Sequence, residues 1–179
     1  MTEVASIYGQ AMYDLAREEG QSQAILAQLA ALDESLKAQP DFVRLLCAPN
    51  IPKEERVRIL DSSFRGKLHP YVLNYLKLLT EKGYMKHFSD CCKMYRQQYN
   101  KDNGIVPVVA YTAIPLSDEL RRKLAAKLST VTGKTIELDC RIDPETLGGV
   151  RLDFDGKQVD GTVRRRLEDI RGLLKNTVL

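Results

Sequence analysis

In the first hundred residues apolar side chains recur every three or four positions, and beyond Gly104 that spacing gives way to β-branched runs and strict alternation. A period near 3.6 puts one apolar stripe along a helix, whereas a period of two puts it on one face of a strand. The change of period therefore constrains the fold more than any single motif. It predicts an α+β chain: an N-terminal six-helix antiparallel bundle followed by a small α/β C-terminal domain. The 179 residues are enough for two such units. The polar, turn-rich stretch 99–104 marks the break, so the domains are expected at 1–103 and 104–179.

The helices can be placed by their stripes and their punctuation. Val4, Tyr8, Ala11 and Leu15 form the stripe of a first helix that ends near Glu19, with Gly20 as a left-handed cap. Ile25, Leu29, Leu32 and Leu36 form a second, which stops before Pro40. A short third helix covers 41–47. A fourth opens with Pro52 in its first turn, has Glu54 and Glu55 at its positive end, and turns Val57, Ile59 and Leu60 inward. The fifth runs from Pro70 to Lys82 and stops at Gly83. The sixth carries Met85, Phe88, Cys92, Tyr95 and Tyr99.

After the break, residues 105–111 read as a strand, and Pro107, which lacks an N–H, predicts that it lies at a sheet edge or starts late. Ser117 caps a helix with Asp118 and Glu119 in its first turn and Gly133 at its end. Residues 135–142 alternate as a strand, 149–154 form another, Asp155 and Gly156 turn, and 157–159 return. A last helix begins after Asp160 and Gly161 and buries Val163, Leu167, Ile170 and Leu174.

Charge narrows the function classes. There are 27 Lys and Arg against 24 Asp and Glu, a net charge of +3. A protein held to nucleic acid by phosphate neutralisation shows a larger basic excess or a segregated stripe, so nucleic acid is disfavoured. The uncharged run 105–117 is too short to span a bilayer and contains Pro107 and Pro115. The N-terminal residues have no basic segment before an apolar stretch, which argues against a secretory signal and for a soluble, cytosolic chain. Cys47, Cys91, Cys92 and Cys140 show no C-x-x-C spacing and are expected to be reduced and mostly buried. With only His69 and His87 besides, no metal site and no cofactor are expected.

Motifs for chemistry fail on context. Gly133-Lys134-Thr135 has Leu128 where a phosphate loop needs glycine, and it leads from helix to strand, the reverse of that loop's order. Residues 153–156 lack the third acid and closing Glu of a calcium loop. Neither histidine has a nucleophile and an orienting acid in sight, and no carboxylate pair stands out. The chain does not read as an enzyme.

What stands out is surplus apolar surface. The fifth helix is apolar nearly all round from Tyr71 to Leu79, and the first adds Ala5, Met12 and Ala16 to its stripe, with Gly9 and Ala11 keeping part of its surface small. Such helices are either buried on both sides or covered by a partner helix. Arg164, Arg165 and Arg166 precede the stripe of the last helix. They read either as a solvated face or as planar donors for an acidic partner helix. They also carry the alternative reading, a nucleic-acid-associated adaptor module, although no aromatic residue stands near them.

Taken with the two-part organisation, the segment Leu147, Gly148, Gly149, Val150 followed by Asp160, Gly161, Thr162, Val163, Arg164 and Leu167 resembles the delta subunit family of F-type ATP synthase, which includes the oligomycin-sensitivity-conferring protein. The resemblance covers essentially the whole chain. Thr162 stands where Ser is usual, and Ile7 and Gly9 stand where a basic residue and Ala are more common. It implies a non-catalytic peripheral-stalk, or stator, subunit, with membrane association only indirect, through the complex at the cytoplasmic face of a bacterial inner membrane. The N-terminal bundle would take the helical N-terminus of an alpha subunit between its first and fifth helices. The C-terminal domain would hold the C-terminal region of the b subunits. Together they would tie the catalytic head against rotor torque. The residues expected at the head groove are Tyr8, Ala11, Met12 and Leu15 with Leu73, Leu76, Lys77 and Leu78. Lys77 would pair with an acid of the partner, and Tyr8→Asp or Leu76→Asp is expected to weaken binding without unfolding. Arg164 and Arg165 are expected toward the b subunits. Gly148, Gly149, Asp160 and Gly161 are expected to serve the fold, with Asp160 capping the last helix.

Overall fold

The computed structural model describes residues 2–144, 146, 148–154 and 156–161. Its chain is α+β and divides into two compact units, Met1–Tyr99 and Asn100–Leu179, so the division falls in the last turn of a helix, a few residues before the turn at Gly104.

The first unit contains α1 (Glu3–Glu18), α2 (Ser22–Ala38), α3 (Pro40–Cys47), α4 (Lys53–Phe64), α5 (Pro70–Glu81) and most of α6 (Phe88–Asp102), with a single 3-10 turn at Met85–His87. That turn separates Met85 from the helix to which its spacing assigned it. The ends follow local chemistry. Thr2 accepts from the Ala5 N–H at 3.4 Å, and Pro40 and Pro70 occupy first turns where a missing N–H costs nothing.

On α2 the expected stripe is the buried one: Ile25, Leu29, Leu32 and Leu36. On α1 it is not. The core takes Ala5, Gly9, Met12, Tyr13 and Ala16, while Val4 and Tyr8 are half-buried and Ala11 and Leu15 are exposed. The stripe and the surplus have exchanged roles, because small residues on the inner face let α1 approach α6. A Cβ on Gly9 would lie 2.7 Å from both the Cys91 carbonyl oxygen and the Met94 Cβ. Gly9 therefore serves that close approach and is no part of an outward groove.

Polar ties orient the helices. The Tyr13 and Tyr95 rings meet edge to face at 5.4 Å, and the Tyr95 hydroxyl donates to the Ser22 carbonyl at 2.9 Å. The buried Arg56 donates from Nη1 to the Leu46 carbonyl at 2.8 Å, placing a cation at the negative end of α3. The His69 N–H donates to Gln28 Oε1 at 2.9 Å, which ties the start of α5 to α2. No cysteine is bridged. Cys91 is buried, whereas Cys47, Cys92 and Cys140 are only half-buried, which corrects the expectation for those three.

The second unit contains β1 (Ile105–Thr112), α7 (Asp118–Thr132), β2 (Thr135–Ile142), β3 (Val150–Phe154) and β4 (Lys157–Asp160), in one sheet of order β2-β1-β3-β4. β1 and β2 are parallel and α7 is their crossover; β3 pairs antiparallel with β1 and β4 with β3. The Ser117 hydroxyl accepts from the Leu120 N–H at 3.3 Å, and Gly133 closes α7 at φ 67°, a conformation that favours glycine.

β1 is an interior strand, not an edge. Pro107 is nonetheless tolerated for a readable reason. The Thr135 N–H donates to Gly104 O and the Asp143 N–H to Thr112 O, so even-numbered residues of β1 bond toward β2 and odd-numbered ones toward β3. β3 begins its pairing with β1 at Val108, so the missing N–H of Pro107 points past the end of β3.

The two halves of the glycine-rich segment meet across β3 and β4. Gly148 and Gly149 lie at φ 87° and 85°, Arg151 pairs with Asp160, and the Gly161 N–H donates to Val150 O at 3.1 Å. The last helix, its residues Val163, Leu167, Ile170 and Leu174, and any cap that Asp160 gives it lie outside the described residues, as do Leu147, Asp155 and Thr162.

Candidate functional site

Among the described residues no group of three or more His, Cys, Asp and Glu side chains could hold a metal ion. Three recesses of the first unit differ in both size and chemistry. A cleft of about 490 Å³ between α2 and α6 is rimmed by Asp33, Glu34, Lys37, Lys93 and Arg96. Another, of about 560 Å³ between α4 and α5, is rimmed by Lys53, Glu54, Arg58, Glu81 and Lys82. A third, of about 270 Å³ between α1 and α5, is lined by Tyr8, Ala11, Met12, Leu15, Tyr71, Asn74, Tyr75 and Leu78 and has no ionised lining residue.

α1 and α5 line this groove with residues one helical turn apart. Tyr8, Ala11, Met12 and Leu15 recur at three and four on α1; Tyr71, Asn74, Tyr75 and Leu78 do so on α5. Leu15 and Leu78 remain 37% and 40% exposed, large apolar side chains left half in water on facing walls. The base is firmer. Met12 and Tyr75 are buried, and the Tyr8 ring is braced by Tyr84 at 5.5 Å, edge to face. Burial, then the neighbouring Cys91 thiol, pushes the Tyr75 hydroxyl far above the ordinary phenol range, so its tip stays neutral. The Tyr71 ring lies tilted against that of His69 at 5.1 Å, and the His69 Nδ1 accepts from the Tyr71 N–H. Desolvation and then the nearby Glu19 carboxylate raise the Tyr71 hydroxyl as well.

Of the residues expected at the groove, the structure brings together Tyr8, Ala11, Met12, Leu15 and Leu78. Three others are elsewhere. Leu76 is fully buried, and Leu73 is nearly so, because both fall on the opposite side of α5 from Tyr71 and Leu78. Lys77 forms an ion pair with Asp61 of α4, which also takes Arg65, so its ammonium is committed inside the unit. Leu76→Asp would therefore bury a carboxylate in the core, contrary to the expectation that the fold survives it. Arg164 and Arg165 lie outside the described residues. Tyr71, Asn74 and Tyr75 were missed, although a signal existed: on an all-round apolar helix, side chains with a polar tip mark the wettest side.

An open apolar groove between two helices, with no ionised lining residue, in a chain that joins a helical unit to an α/β unit, has the geometry of helix-in-groove recognition. Comparison with known proteins narrows this. The model of the family ATP synthase delta (OSCP) subunit matches residues 4–174. ATP synthase subunit delta of Alkaliphilus metalliredigens is 31% identical over 98% of both chains. That of Alkaliphilus oremlandii is 32% identical over 92% of this chain and 91% of its own. That of Clostridioides difficile is 28% identical over 98% and 97%. Among solved structures, a chain of the Toxoplasma gondii mitochondrial ATP synthase hexamer has the same fold, with a TM-score of 0.71 at 18% identity, covering 97% of this chain and 98% of that one. The chain thus belongs to the ATP synthase delta (OSCP) subunit family, and its function is that of a peripheral-stalk subunit of ATP synthase.

Proposed function

We propose that the groove between α1 and α5 receives the helical N-terminus of an alpha subunit, so that the first unit, read as one antiparallel six-helix bundle spanning 1–103, sits on the catalytic head. The α/β unit, 104–179, holds the C-terminal region of the b subunits, with Arg164 and Arg165 toward them. The chain has no chemistry of its own in this reading. It is a static tie that keeps the head from turning with the rotor, bound to the membrane only through the complex. The bacterial source of the relatives above supports a place at the cytoplasmic face of the inner membrane. The nucleic-acid alternative rests on arginines outside the described residues and gains nothing from the family.

One observation carries the reading: Leu15 on α1 and Leu78 on α5, each more than a third exposed, both line a groove none of whose lining residues is ionised. Fully burying a leucine side chain is worth about 1.5–3 kcal/mol, so covering the exposed part of two, with the tyrosine faces, supplies a few kcal/mol before the cost of ordering the partner. Calorimetric titration of the full chain with a peptide of the same organism's alpha N-terminus tests it. We expect saturable one-to-one binding with a negative heat-capacity change, lost in Leu78→Asp while the circular dichroism spectrum is unchanged. Absence of heat and of any competing spectroscopic change with the folded wild-type chain would overturn it.

A further inference from the structure

The groove between α1 and α5 is apolar along its length but acidic at one end. Four residues beyond Leu15, on the same stripe as Tyr8, Met12 and Leu15, stands Glu19, the exposed C-cap of α1. At 100° per residue its side chain leaves the helix on the groove side. After desolvation, its carboxylate is what raises the hydroxyl of Tyr71, which belongs to the opposite wall, so the two groups lie within electrostatic reach. The exposed Glu18 and the C-terminal carbonyls of α1 add negative potential at the same place.

Three basic side chains of α1 and α5 are engaged elsewhere. Lys77 is held by Asp61, and Arg17 lies 4.0 Å from Asp14 and 6.0 Å from the centre of the Tyr13 ring. His69 presents Nδ1 to the Tyr71 N–H as an acceptor. Apolar contact has no direction, so a helix with a continuous apolar stripe fits the groove either way round. A charge at one end removes that degeneracy.

Resting on the docking reading above, we infer that the helix received by this groove carries a lysine or arginine at the end lying over Glu19 and Tyr71, and that this contact fixes which way the helix runs. The sign is the reverse of what Lys77 implies from sequence, because Asp61 has taken Lys77 out of play.

The test uses the full chain, its Glu19→Gln and Glu19→Lys variants, and the alpha N-terminal peptide with each lysine and arginine replaced in turn by glutamine. Glu19 is exposed, so both variants are expected to keep the wild-type urea midpoint. We expect Glu19→Gln to weaken binding by about two- to five-fold, the range of an exposed ion pair, and Glu19→Lys to weaken it further. The loss shrinks as salt rises, and one peptide position near a terminus becomes silent once Glu19 is gone. Equal affinity of wild type and Glu19→Gln at low salt, with every peptide substitution additive, overturns this inference and leaves the docking reading intact. Failure of the wild-type chain to bind the unsubstituted peptide overturns both.

Discussion

Gly9 has no side chain, and α1 and α6 come together where one would be. Alanine is the better helix former by about 1 kcal/mol, but its Cβ would sit 2.7 Å from a backbone carbonyl oxygen that cannot rotate away. Overpacking of that kind costs about 1–3 kcal/mol, so Gly9→Ala is expected to lower the urea midpoint, and a raised midpoint would show the helices free to part. A second residue-scale prediction concerns pH. Burial pushes the Cys92 thiol far above its ordinary 9.0, and burial with the neighbouring Tyr13 and Tyr99 pushes the Tyr95 hydroxyl above its ordinary 10.0. Each group keeps its proton in the fold and loses it more readily when unfolded, so above those ordinary values the unfolded chain binds fewer protons and stability falls as pH rises. Below about pH 8 both states are protonated and these groups contribute no slope. Urea midpoints measured from pH 7 to 11 should be level at first and decline beyond pH 9, more weakly in Cys92→Ser. Neither effect was legible beforehand. Gly9 reads as groove and Cys92 as an ordinary thiol until the neighbouring helix is in place.

At the scale of elements, helix and strand ends were largely legible because their causes are local. Ser117, Gly133, Pro40 and Pro70 act within a turn of themselves, and α7, β2 and α5 end within a residue or so of their signals. Ser117→Ala should cost about 1 kcal/mol of the second unit's stability, seen as faster amide exchange in the first turn of α7. Faces were not legible in the same way. α5 is apolar almost all round, so its period could not say which leucines look inward. The structure assigns Leu76 to the core and Leu78 to the groove, and the two aspartate variants should separate cleanly. Leu76→Asp buries an unpaired carboxylate and should unfold the first unit at room temperature. Leu78→Asp should change the urea midpoint by less than about 0.5 kcal/mol equivalent. Circular dichroism of both variants checks the assignment.

At the scale of the whole molecule, the family and the groove together predict a mechanical phenotype. Membranes stripped of this subunit and reconstituted with the wild-type chain should regain ATP-driven proton pumping. Those given Leu78→Asp should hydrolyse ATP with little pumping, because a head that is not tied turns with its shaft. Pumping fully restored by Leu78→Asp would place the essential contact elsewhere. The amino-acid sequence by itself determined the division into helical and α/β parts, most element limits and the family, since periodicity, caps and the glycine segment before β3 and after β4 are written along the chain. Only the tertiary structure decided which stripe of α1 faces the core, that Lys77 belongs to Asp61, that Pro107 can sit in an interior strand, and that the open edge of the groove is acidic. Those are pairwise facts. A side chain's role there depends on what lies opposite it, and no local pattern carries that information.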